Sequence, residues 1–180
     1  MKSVLISIQP YWVFLIIAQT MGWNISEEKT VEVRKNYPKS ENWDKVAKIY
    51  CSKDKKSFAQ IPKEYQPLME RFLGKVIGEF VCDEIYTINK DSCGWFYGNC
   101  NEVMGIMYAE EVEELYHCIP DDELKNYLGH YIGYGWHISN LVIYDKPREL
   151  SEFSKYGFSH PVWLKRPPQS WCYVESEVTE

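Results

Sequence analysis

At 180 residues with a formal net charge of −6, the chain is sized for one domain, or one domain with a sizeable insertion, and is too acidic for a non-specific nucleic-acid coat protein. Hydrophobic residues at 45% and charged residues at 26% are ordinary globular values. A chain of this length buries roughly 70% of its unfolded surface, so neither disulfides nor a metal are needed to hold the fold.

Val4 to Ile8 reads as a short buried strand. Pro10 follows at the first turn of a helix, where its missing N–H costs nothing. That helix, Tyr11 to Thr20, is apolar almost all round and ends near Gly22. It must be buried on several sides or pack on a partner, so a homodimer or a protein partner through Tyr11–Thr20 is one expectation. Lys2, the apolar run to Ala18 and Ala18-Gln19-Thr20 imitate a signal peptide. Gln9-Pro10 interrupts the run, and the remainder is too short to cross a bilayer, so the segment is expected to be structural, with no membrane association.

Lys29 to Lys35 is the stretch around which the rest is organised. Successive strand side chains face opposite ways, which puts Val31 and Val33 on one face and Thr30, Glu32 and Arg34 on the other. The pattern predicts a strand whose back packs on a core and whose front, with Glu32 and Arg34 exposed, lines a polar concavity. As a solvated ion pair, Glu32 and Arg34 would be worth little. Residues 29–63 carry a net +6, which leaves −12 for the rest and hints at a side facing a polyanion.

Further on, Asn42 to Lys45 reads as a turn, Val46 to Cys51 as a strand, and Ser52 to Ser57 as a basic loop. Pro67 to Leu73 is helical with Gly74 as its stop. Val76 to Ile88 reads as one long strand, bent at Gly78. Residues 89–120 are the least legible, with an acidic helix over Glu110–Tyr116. Leu124, Tyr127, Leu128, Tyr131 and Ile132 recur at helical spacing behind Asp121, and Gly133 to Gly135 close that helix. Trp136 to Tyr144 is a further strand, Leu150 to Tyr156 a helical turn, and Ser170 to Val174 the last strand. Strands outnumber helices, which predicts an α+β fold, a mixed sheet closed or half-closed into a barrel with capping helices.

The order of these features resembles a known family. "VLISIQP", a helix opening on that proline, "KTVEVRK" and then "VIGEFVCDEI" are similar to the ASCH domain family of PUA-like barrels. "YGWHISNLVIYDKPRELSEF" through "RPPQSWCYVE" resembles its prophage-associated bacterial branch. The resemblance implies a single PUA-like β-barrel domain over residues 1–180, with a family-specific insertion around 89–135. It also implies that Lys29, Glu32 and Arg34 face a cleft. ASCH domains are proposed RNA-binding modules, and relatives in the wider fold read modified bases. Some members cleave RNA, and one branch hydrolyses an acetylated cytidine with a lysine, a threonine and a glutamate. In that pattern the lysine falls on Lys29, whereas the nucleophilic threonine falls on Glu32.

Taken residue by residue, Lys29 and Arg34 are natural ligands for phosphate or carbonyl oxygens, Arg34 with its planar fork of donors. Lys35 adds charge beside them. Glu32 can accept from a base N–H or hold Arg34 in place. Aromatics make up 16% of the chain, most of them for the core and a few to stack on a ligand, with Trp136 and Trp171 weighed first. Gln169 and Ser170 can read a base edge, and Ser7 lies at the end of the first strand within reach of a cleft.

Six scattered cysteines match neither a disulfide framework nor a zinc site, even with His117-Cys118 added, so reduced thiols of a cytoplasmic protein are expected. No metal and no cofactor are expected. The reading is RNA or modified-nucleotide binding. The alternatives are a hydrolase using Lys29 and Glu32 as catalytic residues, and a phage accessory protein that binds a host protein.

Overall fold

A computed structural model describes residues 1–39, 42–91, 94–99, 107–108, 116–129 and 132–176. The elements run β1 (Lys2–Ile8), α1 (Pro10–Ile17), β2 (Val31–Arg34), β3 (Trp43–Cys51), α2 (Lys55–Phe58), α3 (Gln66–Glu70) and β4 (Val76–Val81). They continue as β5 (Ile85–Asp91), β6 (Gly94–Asn99), β7 (Met107–Tyr108), α4 (Asp121–Leu128), β8 (Gly133–His137), β9 (Ser139–Arg148) and β10 (Trp171–Glu175). The chain divides into two compact units. The first takes Met1–Asn24, Ser40–Val81 and Asn140–Glu180; the second takes Ile25–Lys39 and Cys82–Ser139.

The first unit holds a five-stranded sheet in the order β10-β1-β3-β4-β9. β1 runs parallel to β3 and antiparallel to β10. Val4, Leu5 and Ile6 are wholly buried, so both faces of β1 are covered there. Pro10 opens α1 as its sequence position predicts. Val13 to Ala18 are all buried within the chain, while Tyr11 and Trp12 are half-buried. The helix therefore does not offer the apolar face on which a homodimer or protein partner is expected to dock. A Cβ on Gly78 would meet the Val142 carbonyl oxygen at 2.2 Å, so only glycine lets β4 and β9 approach this closely.

The second unit holds a five-stranded sheet in the order β2-β8-β5-β6-β7, with antiparallel pairs throughout. Val31 and Val33 pack with Ile88 and with Leu124 and Leu128 of α4. On the same face a Cβ on Gly133 would meet Leu128 at 2.7 Å, and one on Gly135 would meet Val31 at 2.7 Å. Alternation in Gly133-Tyr134-Gly135-Trp136 thus gives α4 its close approach and sends both aromatics to the opposite face.

Both sheets are open among the described residues, so the α+β class holds and the closed barrel does not appear. The long strand over Val76–Ile88 is two strands, β4 and β5, one in each sheet; Asp83 and Glu84 are exposed in the break. Trp136–Tyr144 is likewise divided between β8 and β9. Asn42–Lys45 is not a free turn, since β3 starts at Trp43 and absorbs Lys45 at φ 61°. Within the basic Ser52–Ser57 segment, the Asp54 side chain accepts from the Ser57 N–H (2.7 Å) and caps α2. The helix over Glu110–Tyr116 lies, but for Tyr116 itself, outside the described residues, as do residues 92–93, 100–106, 109–115 and 130–131 of the 89–135 insertion. No helix among the described residues is long and apolar enough to cross a membrane.

Candidate functional site

β2 lies at an edge of its sheet, paired with β8 in the register Val31↔His137, Glu32↔Trp136, Val33↔Gly135 and Arg34↔Tyr134. Directly opposed residues of an antiparallel pair share a face. Glu32, Arg34, Trp136 and Tyr134 are therefore together, on the side away from the valine core. Tyr37 lies against Tyr134 with ring centroids 4.5 Å apart. The period-two reading of the strand holds.

The exposure expected of its front face does not. Glu32 is 5% exposed, Arg34 8% and Lys29 2%. The three form one buried ion cluster: Arg34 Nη2 lies 2.8 Å from Glu32 Oε1, and Lys29 Nζ lies 3.5 Å from Glu32 Oε2. Lys29 Nζ also donates to the His117 carbonyl oxygen at 2.7 Å. A long cation can be buried here because a carboxylate and a carbonyl receive it. Even so, burial holds the Lys29 ammonium below its usual pKa, against the pull of Glu32 and Cys118, with Arg34 adding repulsion.

Two neighbours of this cluster, His117 and Cys118, carry no sign in the sequence that they belong beside Lys29. The Thr30 and Val31 N–H groups both donate to the Tyr116 carbonyl oxygen, at 2.9 and 3.1 Å, and the Tyr116 N–H donates to Thr30 Oγ1 at 2.9 Å. That lacing brings His117 and Cys118 to Lys29 from far along the chain. Burial, then the nearby Lys29 charge, pushes His117 down to about 4, so its imidazole is neutral near neutral pH. Its Nδ1 accepts from the Ile119 N–H at 3.0 Å, which leaves the proton on Nε2. Burial raises the Cys118 thiol, and Lys29 opposes the rise.

The other predicted residues fall elsewhere. Trp136 belongs to the same face as Glu32 but is wholly buried. Lys35 is exposed, with its ammonium 5.1 Å from the Tyr127 ring centroid. Ser7, Gln169, Ser170 and Trp171 sit in the first unit. There the Ser7 N–H donates to the Ser170 carbonyl oxygen at 2.8 Å, Trp171 pairs with Ile6, and its ring lies 5.3 Å from Tyr173. Gln169 is exposed. The predicted set is thus two clusters, one in each unit. Cys51, Cys82, Cys118 and Cys172 are free thiols. No group of His, Cys, Asp or Glu with metal-holding geometry occurs among the described residues.

Two open sheets with short helices among the described residues make this a mixed α+β protein. Its fold is ASCH-like: a serine-to-alanine variant of an ASCH protein from Zymomonas mobilis superposes with a TM-score of 0.53 at 16% identity, over 96% of this chain and 88% of that one. A tyrosine-to-phenylalanine variant of that protein aligns at a TM-score of 0.47 and 15% identity, covering 97% and 91%. Another crystal structure of ASCH from the same organism gives 0.46 and 16%, covering 96% and 87%. At these identities the likeness is one of fold, and only the first is close enough to argue from. No protein-family model and no curated protein matches the chain.

Proposed function

We propose that the protein binds RNA, or a modified nucleobase or nucleotide, with Lys29, Glu32 and Arg34 as the polar contacts. The observation that carries this reading is the ion cluster at β2, two of whose members share one strand face while Lys29 joins from just before it. An ammonium and a guanidinium both lie within 3.5 Å of one carboxylate, in a poorly solvated place where charge is costly to hold. An electron-rich ligand, a phosphate or a base carbonyl, is attracted to such a pair of cations. The guanidinium is suited to planar acceptors of that kind. Tyr134 and Tyr37, beside Arg34 on the same face, add rings for a base to meet.

The test is a titration of a short labelled single-stranded RNA, and separately of a modified cytidine, against wild type and Arg34→Ala. Removing Arg34 leaves Lys29 and Glu32 as a balanced pair, so the fold survives. Affinity should fall about tenfold or more, the scale of one lost charged hydrogen bond. It should also weaken with added salt. Equal, salt-independent affinity in both proteins ends the proposal.

A second reading, a nucleic-acid-directed hydrolase, draws on the lowered Lys29 pKa, because a neutral amine can act as a base. Glu32, in the place of the threonine nucleophile, counts against an acetylcytidine amidohydrolase of the resembled kind. Product formation that Lys29→Ala abolishes would favour the hydrolase over the binding module.

A further inference from the structure

We infer that a second surface, the hairpin over Phe153–Leu164 in the first unit, is a stacking platform for single-stranded nucleic acid. Three of its aromatics are turned to solvent: Trp163 is 54% exposed, Phe158 53% and Tyr156 40%. Large rings are rarely left out in this density on a surface that nothing covers.

The hairpin is held rigidly at its root. Phe153 and Leu164 are buried in one core cluster with Val174, and the Leu164 N–H donates to the Phe153 carbonyl oxygen at 2.8 Å. The Lys155 N–H donates to the Val162 carbonyl oxygen at 2.9 Å, and Ser154 bridges to Trp163. The outer side is stitched to β10, where the Tyr156 N–H donates to Tyr173 (3.2 Å) and the Glu175 N–H to Ser154 (3.0 Å). Gly157, at φ +91°, turns the chain at the tip.

Because Ser154 and Trp163 are opposed, Trp163 shares a face with Ser154 and, two residues on, with Tyr156. The Lys2 ammonium lies 5.4 Å from the Tyr156 ring and 4.3 Å from the Tyr173 ring. A cation thus lies beside two of the rings at the base of the hairpin.

Charge decides the occupant. From Phe153 to Val174 there is no Asp or Glu, against Lys155, Lys165 and Arg166, all exposed, in a chain whose net charge is −6. Of the two acids that flank this stretch, Glu152 pairs with Arg148, while Glu175 is opposed to Lys2 in the β1–β10 register and accepts from the Gly157 N–H at 3.3 Å. Exposed rings beside cations on a strip of net positive charge fit a polyanion whose π-faces are free to stack. A duplex has its bases already stacked, so the strip selects single strands.

This inference does not rest on the Lys29 cluster, and the experiment separates the two. A labelled ten-nucleotide single-stranded RNA and a duplex of the same length are titrated against wild type, Phe158→Ala/Trp163→Ala, Lys165→Ala/Arg166→Ala and Arg34→Ala. The aromatic variant should lose about tenfold or more in single-strand affinity at unchanged thermal midpoint. Trp163→Phe should keep most of it. The charge variant should flatten the log–log salt slope by roughly 1.4, two phosphates' worth on a single strand. Duplex should bind more weakly than single strand.

Undiminished binding by both hairpin variants overturns the inference, as does an absence of binding by wild type. A loss confined to Arg34→Ala supports the Lys29 cluster and defeats the hairpin; a loss confined to the hairpin variants does the reverse. Loss of a protein partner rather than RNA from the aromatic variant would make the strip a protein-docking face and also defeat the proposal.

Discussion

Replacing Glu32 by glutamine would leave Lys29 and Arg34 as two buried cations with no anion between them. This carboxylate lies within ion-pair distance of both cations, Arg34 at 2.8 Å and Lys29 at 3.5 Å, and its side chain is only 6% exposed. Removing one member of a buried pair typically costs ~3–5 kcal/mol, because the surviving charge is left uncompensated. Here two charges survive, although Lys29, already lowered by burial, can shed its proton and return part of the cost. Glu32→Gln should therefore be less stable by about 2–4 kcal/mol in urea unfolding at neutral pH. It should recover toward wild type as the pH rises and Lys29 neutralises. Arg34→Ala, which leaves a neutral pair, should cost less than Glu32→Gln; the opposite ranking would show that Arg34 packing outweighs charge.

At the scale of elements, the sequence is most legible where a local rule acts alone. Pro10 marks the start of α1, Gly74 at φ +76° closes the turn after α3, and the alternation of Val31 and Val33 locates β2. It is least legible where an apolar run conceals a change of partner. Val76 to Ile88 alternates well enough for one strand, and only Asp83-Glu84 marks the place where the chain leaves one sheet for the other. The burial of Glu32 is equally hidden, since the groups that shield and receive Lys29 come from residues 117 and 118. Period two can say which residues share a face, but not what covers it.

Glycines within strands carry similar information that only coordinates release. Gly78→Ala and Gly135→Ala are the same change in two sheets, but the obstacle at Gly78 is the Val142 backbone oxygen, whereas at Gly135 it is the Val31 and Ile88 side chains. Side chains can shift and a paired backbone cannot. Gly135→Ala should cost ~1–3 kcal/mol, the usual range for overpacking, and Gly78→Ala should cost more or fail to fold. Equal costs in thermal unfolding would mean that β9 yields as easily as a side chain.

For the molecule as a whole, the pH dependence of stability follows from groups that the fold holds away from their ordinary pKa. His117 is the clearest. Burial and the Lys29 charge bring it from 6.5 down to about 4, so the folded chain favours the neutral imidazole while the unfolded chain protonates near 6.5. The unfolded state therefore binds more protons between these values, and stability falls as the pH falls through that window. The contribution is whole above about 6.5 and gone below about 4. For a partly exposed ring it amounts to roughly 2 kcal/mol. Lys29 acts in the same direction at the alkaline end: its ammonium is disfavoured by burial, so stability rises with pH between its lowered value and the ordinary 10.5. Wild type should thus lose stability steadily from pH 6.5 to 4, and His117→Gln should show a shallower fall over that interval when both are unfolded in urea at stepped pH. Parallel curves for the two proteins would show that His117 is hydrated and titrates normally.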